Sequence, residues 1–70
     1  MDDVRWFIDA RGTRWTSRIE HAPDGGASWI RFDSDRGARR SRPDPALVRY
    51  WRDCSALELE ELLGDATPVD

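Results

Sequence analysis

The stretch Ser28-Trp29-Ile30-Arg31-Phe32-Asp33-Ser34-Asp35-Arg36-Gly37 decides the fold. Its first six residues alternate in character. Ile30 and Phe32 fall on one face of an extended chain, Trp29 and Arg31 on the other, because successive side chains of a strand point to opposite sides. Ser34 and Gly37 then stand first and fourth in a turn. That placement suits a type I turn followed by a left-handed residue. The stretch therefore reads as a strand running into a tight turn.

Working outward, the same punctuation recurs. Asp9-Ala10-Arg11-Gly12 repeats the pattern, and Pro23-Asp24-Gly25-Gly26 fits a turn by the same logic. Turns at this spacing, about twelve residues, mark a β-meander. Strand one reads Val4-Arg5-Trp6-Phe7-Ile8-Asp9, with Val4, Trp6 and Ile8 expected on the apolar face. Strand two runs from Arg14 to Glu20, with Trp15 and Ile19 on one side and Arg14, Thr16, Arg18 and Glu20 on the other. Strand four, Ala38-Arg39-Arg40-Ser41-Arg42, has almost no apolar content and reads as an edge. Arginines there discourage pairing with another chain, and Pro43, which has no N–H to donate, stops the ladder.

Asp44-Pro45-Ala46-Leu47 opens a connecting segment whose Leu47, Val48, Tyr50 and Trp51 are apolar enough to lie back on the sheet. Ser55-Ala56-Leu57-Glu58 is a capping box, with Ser at the cap and Glu three residues on. The helix it starts is expected to run to Leu63, with Gly64 as its stop. Leu59, Leu62, Leu63 and Ala66 form one stripe. A helix this short cannot stand alone. Its stripe should cover the face carrying Trp6, Ile8, Trp15, Ile19, Ile30 and Phe32. The expected fold is α+β: a small antiparallel four-stranded β-meander with one C-terminal helix packed on one face. Residues 1–66 make the single domain, and residues 67–70 a loose tail.

The chain has 70 residues, 39% of them hydrophobic and 36% charged. At this length there is room for one small core and no separate substrate domain. Four Trp, two Phe and one Tyr argue against a disordered chain. All eleven basic residues are Arg. A single Cys excludes an internal disulfide and points to an intracellular setting. MDDVRWF has neither the basic nor the apolar region of a signal peptide, and no apolar run is long enough for a membrane helix. The expected localisation is cytoplasmic, with no membrane partner. The net charge of -3 is unevenly spread. Residues 31–52 carry seven Arg against three Asp, whereas residues 53–70 carry six acids and no base.

Few residues carry catalytic chemistry. Cys54 precedes a helix cap, where a thiol pKa can fall, and His21 could serve as its base. The two are far apart in sequence, and a half-buried Cys with a loop His is the simpler reading. Asp33-Ser34-Asp35-Arg36-Gly37 departs from a calcium loop at its fifth position, and Arg36 and Arg39 would repel a cation. One Cys and one His cannot build a structural zinc site. Asp24-Gly25-Gly26 lacks the end of a phosphate loop. No catalytic residue, metal or cofactor is expected, and the protein reads as a non-enzyme.

The order Trp15, Trp29-Ile30-Arg31-Phe32-Asp33-Ser34, Arg39-Arg40, Pro43, Pro45, Trp51 and Ser55-Ala56-Leu57-Glu58-Leu59 resembles a recurrent set of short uncharacterised bacterial proteins. In that pattern a Phe-x-Ser strand leads to Arg-Arg-Leu, a Pro-x-Pro turn, a Trp and a Ser-x-x-Glu-Leu helix. Ser41 stands where the pattern has Leu, and the stretch from Pro45 to Trp51 is longer. The resemblance covers residues 15 to 66. It implies the fold and no activity.

The candidate partner-binding residues are Trp29, Arg31, Arg36, Arg39, Arg40 and Arg42. Trp and Arg are enriched at protein hot spots. The expected function is a small protein-interaction module or accessory subunit docking on a larger protein. The alternative is a single-stranded nucleic-acid binder using the Arg-rich third hairpin, since such surfaces also stack bases and neutralise phosphates. A pI near 5.0 weighs against that alternative.

Overall fold

The structure, a computed structural model, describes residues 3–69. Met1, Asp2 and Asp70 lie outside it, and with them the start of the expected domain and the last residue of the expected tail. Strands β1 (Val4–Ile8), β2 (Arg14–His21), β3 (Ser28–Ser34) and β4 (Gly37–Arg40) follow one another. Helices α1 (Pro45–Trp51) and α2 (Ala56–Asp65) come next, and strand β5 (Thr67–Val69) closes the chain. The strands form one antiparallel sheet in the order β1-β2-β3-β4-β5. No helix among the described residues is long and apolar enough to cross a membrane.

The expected turns form, and their glycines explain why. Gly12 has φ +83° and Gly37 φ +130°, a region that a Cβ disfavours. Asp9 organises the first turn. Its Oδ1 accepts from the N–H groups of Arg11 and Thr13, both at 2.9 Å, and its Oδ2 accepts from the Trp15 indole at 3.0 Å. The strand-to-strand register is thereby tied to a core side chain.

The sheet differs from the four-stranded expectation at both edges. Residues 67–69 are strand β5, paired with β4 through Ala38↔Val69, Arg39↔Pro68 and Arg40↔Thr67. The tail is therefore not loose over those residues, and β4 is not an edge. Thr67-Pro68-Val69 carries no strand signature. It pairs because α2 ends beside β4 and delivers the chain to an open ladder. On β1 the faces are reversed. Phe7 is buried, whereas Val4, Trp6 and Ile8 are 53%, 58% and 56% exposed. Counting apolar side chains favours the wrong face there, and a strand has only two choices.

The core contains Phe7, Trp15, Ile30, Phe32, Trp51, Cys54, Leu59 and Leu63, with Ile19, Leu47, Leu62 and Ala66 packed against it. Phe7 meets Phe32 edge-on at 6.1 Å between ring centroids, a favoured aromatic geometry. The capping box forms as expected. Ser55 Oγ accepts from the Glu58 N–H, and Glu58 Oε1 accepts from the Ser55 N–H, both at 3.2 Å. Gly64 does not stop α2, which runs one residue further.

The connecting segment contains a helix that the expected single-helix fold lacks. Asp44 caps it, with Oδ1 accepting from the Ala46 N–H at 2.9 Å, and Pro45 opens its first turn. Asp followed by Pro is a helix-start signal. At seven residues, however, α1 depends on tertiary anchoring. Trp51 supplies it, buried on the sheet with its indole N–H on Ser17 Oγ at 2.9 Å.

Candidate interaction surface

Both helices lie on one face of the sheet, so the other face stays open. Residues paired directly across antiparallel strands share a face. The register therefore aligns Val4, Arg18, Arg31, Arg40 and Thr67 in one row across all five strands. A second row holds Trp6, Thr16, Asp33, Ala38 and Val69. Ile8 stands beside Arg14, and Glu20 beside Trp29. The open face thus carries two Trp, four Arg, two acids and the exposed Val4 and Ile8.

Its charges are not equivalent. Arg31 lies 3.1 Å from Asp33 Oδ1 and 3.6 Å from Glu20 Oε2. The hydrogen bond and charge of Asp33, with a smaller part from Glu20, push its pKa up from the usual arginine range. Glu20 also accepts from the Trp29 indole at 2.9 Å. Both acids of the face are thereby engaged. Among the described residues, Arg14, Arg18 and Arg40 have no carboxylate within salt-bridge distance. Arg14 instead lies over the Trp6 ring at 4.5 Å, and Arg40 over the Trp29 ring at 5.3 Å. Each such contact is worth about 0.5–1 kcal/mol when exposed. It also orders two side chains before any partner arrives.

The candidate cluster divides between locations. Trp29, Arg31 and Arg40 meet on the open face. Arg39 lies on the helix side, 5.6 Å over the Trp15 ring, with Nη1 3.5 Å from the Leu63 carbonyl. Arg36 sits in the β3–β4 turn. Arg42 lies past the end of β4, its Nε 3.4 Å from Asp44 Oδ2. Trp6, Arg14 and Arg18 join the surface without having been among the candidates. The alternation of β2 sets Arg14 and Arg18 opposite the apolar face, as expected, but reading Trp6 as core hides the share of β1 in this surface.

Cys54 and His21 each bond to other groups. The Cys54 thiol is buried and donates to the Tyr50 carbonyl at 3.2 Å. Burial is the main cause pushing its pKa up, with Asp53 adding to it and Arg5 opposing. A nucleophile needs the opposite shift. His21 Nδ1 is 2.7 Å from Ser28 Oγ across the β2–β3 ladder. The Asp33–Gly37 segment is a hairpin turn, in which Ser34 Oγ accepts from the Arg36 N–H at 3.0 Å.

No family model, curated protein or solved structure compared with the chain matches it.

Proposed function

We propose that the protein is a non-enzymatic interaction module that docks on an acidic region of a larger protein through its open sheet face. The observation that carries this reading is the placing of exposed Trp6 and half-buried Trp29 on one face, each under an arginine, beside exposed Val4 and Ile8. Aromatic and Arg residues dominate protein hot spots. Among the described residues, three arginines of the face are not paired with acids, which selects a partner of negative charge. The exposed aliphatic side chains favour protein over nucleic acid, because phosphates and sugars have no use for Val4 or Ile8. Glu20 and Asp33 within the same face act in the same direction.

Single-strand binding is the second reading, favoured by the same two Trp–Arg stacks. The acidic residues of α2 weigh less against it than the net charge does, since the helix lies on the opposite face of the sheet. Both readings are tested by affinity capture from the native cell, with and without nuclease, using the wild type, W6A and R18E. A stoichiometric protein that survives nuclease and is lost with both variants supports docking. Partners lost on nuclease treatment, with oligonucleotide binding that weakens steeply with salt, would replace it with the second reading. Capture of the same protein by all three forms sinks the site assignment.

A further inference from the structure

The geometry points to a second site, separate from the open-face stacks: a cleft for a small organic monocarboxylate at the hairpin end of the sheet. The cleft is about 510 Å³ and lies between the end of α2, the β1–β2 turn and strands β4 and β5. Such a volume falls within the range of small-molecule sites. Its apolar lining comes from the side chains of Trp15, Leu63 and Pro68. Gly64 lines it too, and a Cβ built there meets nothing within 4 Å.

Arg11, Arg36 and Arg39 also line the cleft, together with two carboxylates, Asp9 and Glu60. The carboxylates are already occupied. Asp9 accepts from two backbone N–H groups and the Trp15 indole, and Glu60 Oε1 accepts from the Ala10 N–H at 3.0 Å. Among the described residues, none of the three arginines has a carboxylate within salt-bridge distance. Arg39 is held in place from two sides, by the Trp15 ring and the Leu63 carbonyl. An arginine positioned this way presents the fork that matches a carboxylate.

Charge and surface together choose the ligand class. Among the described residues, three guanidiniums against two carboxylates leave one positive charge, which suits a monoanion and not a polyphosphate. The apolar lining would be left empty by a bare inorganic anion and filled by a hydrocarbon body. The ligand is therefore a carboxylate carried on a short aliphatic or aromatic group.

The test is an NMR titration of the full chain with 3-phenylpropionate, 3-phenylpropionamide and inorganic phosphate as separate probes. The carboxylate should give saturable shifts at the Trp15 indole N–H and at the Leu63, Gly64 and Val69 amides. The neutral amide and phosphate should each bind at least tenfold more weakly. Gly64→Leu should abolish the shifts with the fold intact, since the position is helical and the added side chain enters open space. Arg36→Gln, in an exposed turn, should weaken binding without unfolding the chain. Equal binding of the amide or of phosphate overturns the ligand class. Saturable binding that survives Gly64→Leu, or no saturable shift with any probe, overturns the site.

Discussion

The indole N–H of Trp51 donates to Ser17 Oγ at 2.9 Å, and that hydroxyl donates onward to the Arg5 carbonyl at 3.0 Å. Ser17 is fully buried, so this relay joins α1, β2 and β1 out of contact with water. Replacing Ser17 by Ala leaves a buried indole N–H without its partner, which costs about 1–3 kcal/mol. For a domain of this size each kcal/mol lowers Tm by about 4–8 °C. S17A should therefore melt roughly 5–20 °C below the wild type in a thermal scan. An unchanged Tm would show that the relay contributes nothing.

Arg5 fastens the same corner from the other side. Its Nη1 donates to the Trp51 carbonyl at 2.5 Å and its Nη2 to the Cys54 carbonyl at 2.6 Å. These bonds satisfy the Trp51 carbonyl, which the end of α1 leaves without a helical partner, and the Cys54 carbonyl in the link to α2. Arg5→Met keeps much of the packing and removes both donors. It should lower stability by about 2 kcal/mol, as expected for hydrogen bonds from a charged group. Urea unfolding checks the value, and Arg5→Lys should recover only part of the loss.

Asp9 gives stability a pH dependence of definite sign. The Trp15 indole hydrogen bond first, then those from the Thr13 and Arg11 N–H groups, hold its pKa below the usual carboxylate range, against a smaller opposing effect of burial. The unfolded chain, with an ordinary Asp pKa of about 3.9, then takes up this proton more readily than the folded state. The contribution is complete above that pH and is lost as pH falls through the lowered folded value. Urea midpoints measured through the acid range should fall less steeply for D9N than for the wild type. Parallel slopes would contradict the assignment.

Cys54 should be inert while the protein is folded. Its thiol is buried, hydrogen-bonded and shifted away from the thiolate. Iodoacetamide near neutral pH should label it only after urea is added, and labelling in native buffer at the rate of a free cysteine would reverse this reading. The measurement is mass spectrometry at fixed reagent exposure.

Trp6 should separate docking from folding. It is exposed and stacks with Arg14, so W6A should change stability by less than about 1 kcal/mol. A hot-spot aromatic costs about 2 kcal/mol or more in binding when truncated. Affinity for the captured partner should therefore fall by at least about tenfold. Arg39→Glu gives the contrast, because its guanidinium lies on the helix side of the sheet. Docking lost with R39E and kept with W6A would move the surface to the other face.

Much of the fold is legible in the residues. Turn chemistry at Asp9–Gly12, Ser34–Gly37 and around Gly25 places the hairpins, and alternation at Trp15-Ile19 and Ile30-Phe32 places the core face of β2 and β3. Ser55 and Glu58 place the start of α2. The reading fails where local signals are balanced. Val4-Arg5-Trp6-Phe7-Ile8 offers three apolar residues to one face and Phe7 to the other. Composition cannot tell that Phe7 will meet Phe32 edge-on, or that Arg5 is needed at the end of α1. Reading Trp6 as core hides the contribution of β1 to the open surface.

Periods, turns and caps are local, so the sequence by itself determined that this chain forms a meander with a capped helix. Only the tertiary structure decided which side of β1 faces inward, that Pro45–Trp51 holds as a helix, and that Thr67–Val69 completes the sheet. Each of these depends on a partner distant in sequence: Phe32 for Phe7, Ser17 for Trp51, Ala38 for Val69. The same packing divided a run of arginines between the two faces of one sheet, because side chains on alternate residues of a strand cannot share a side.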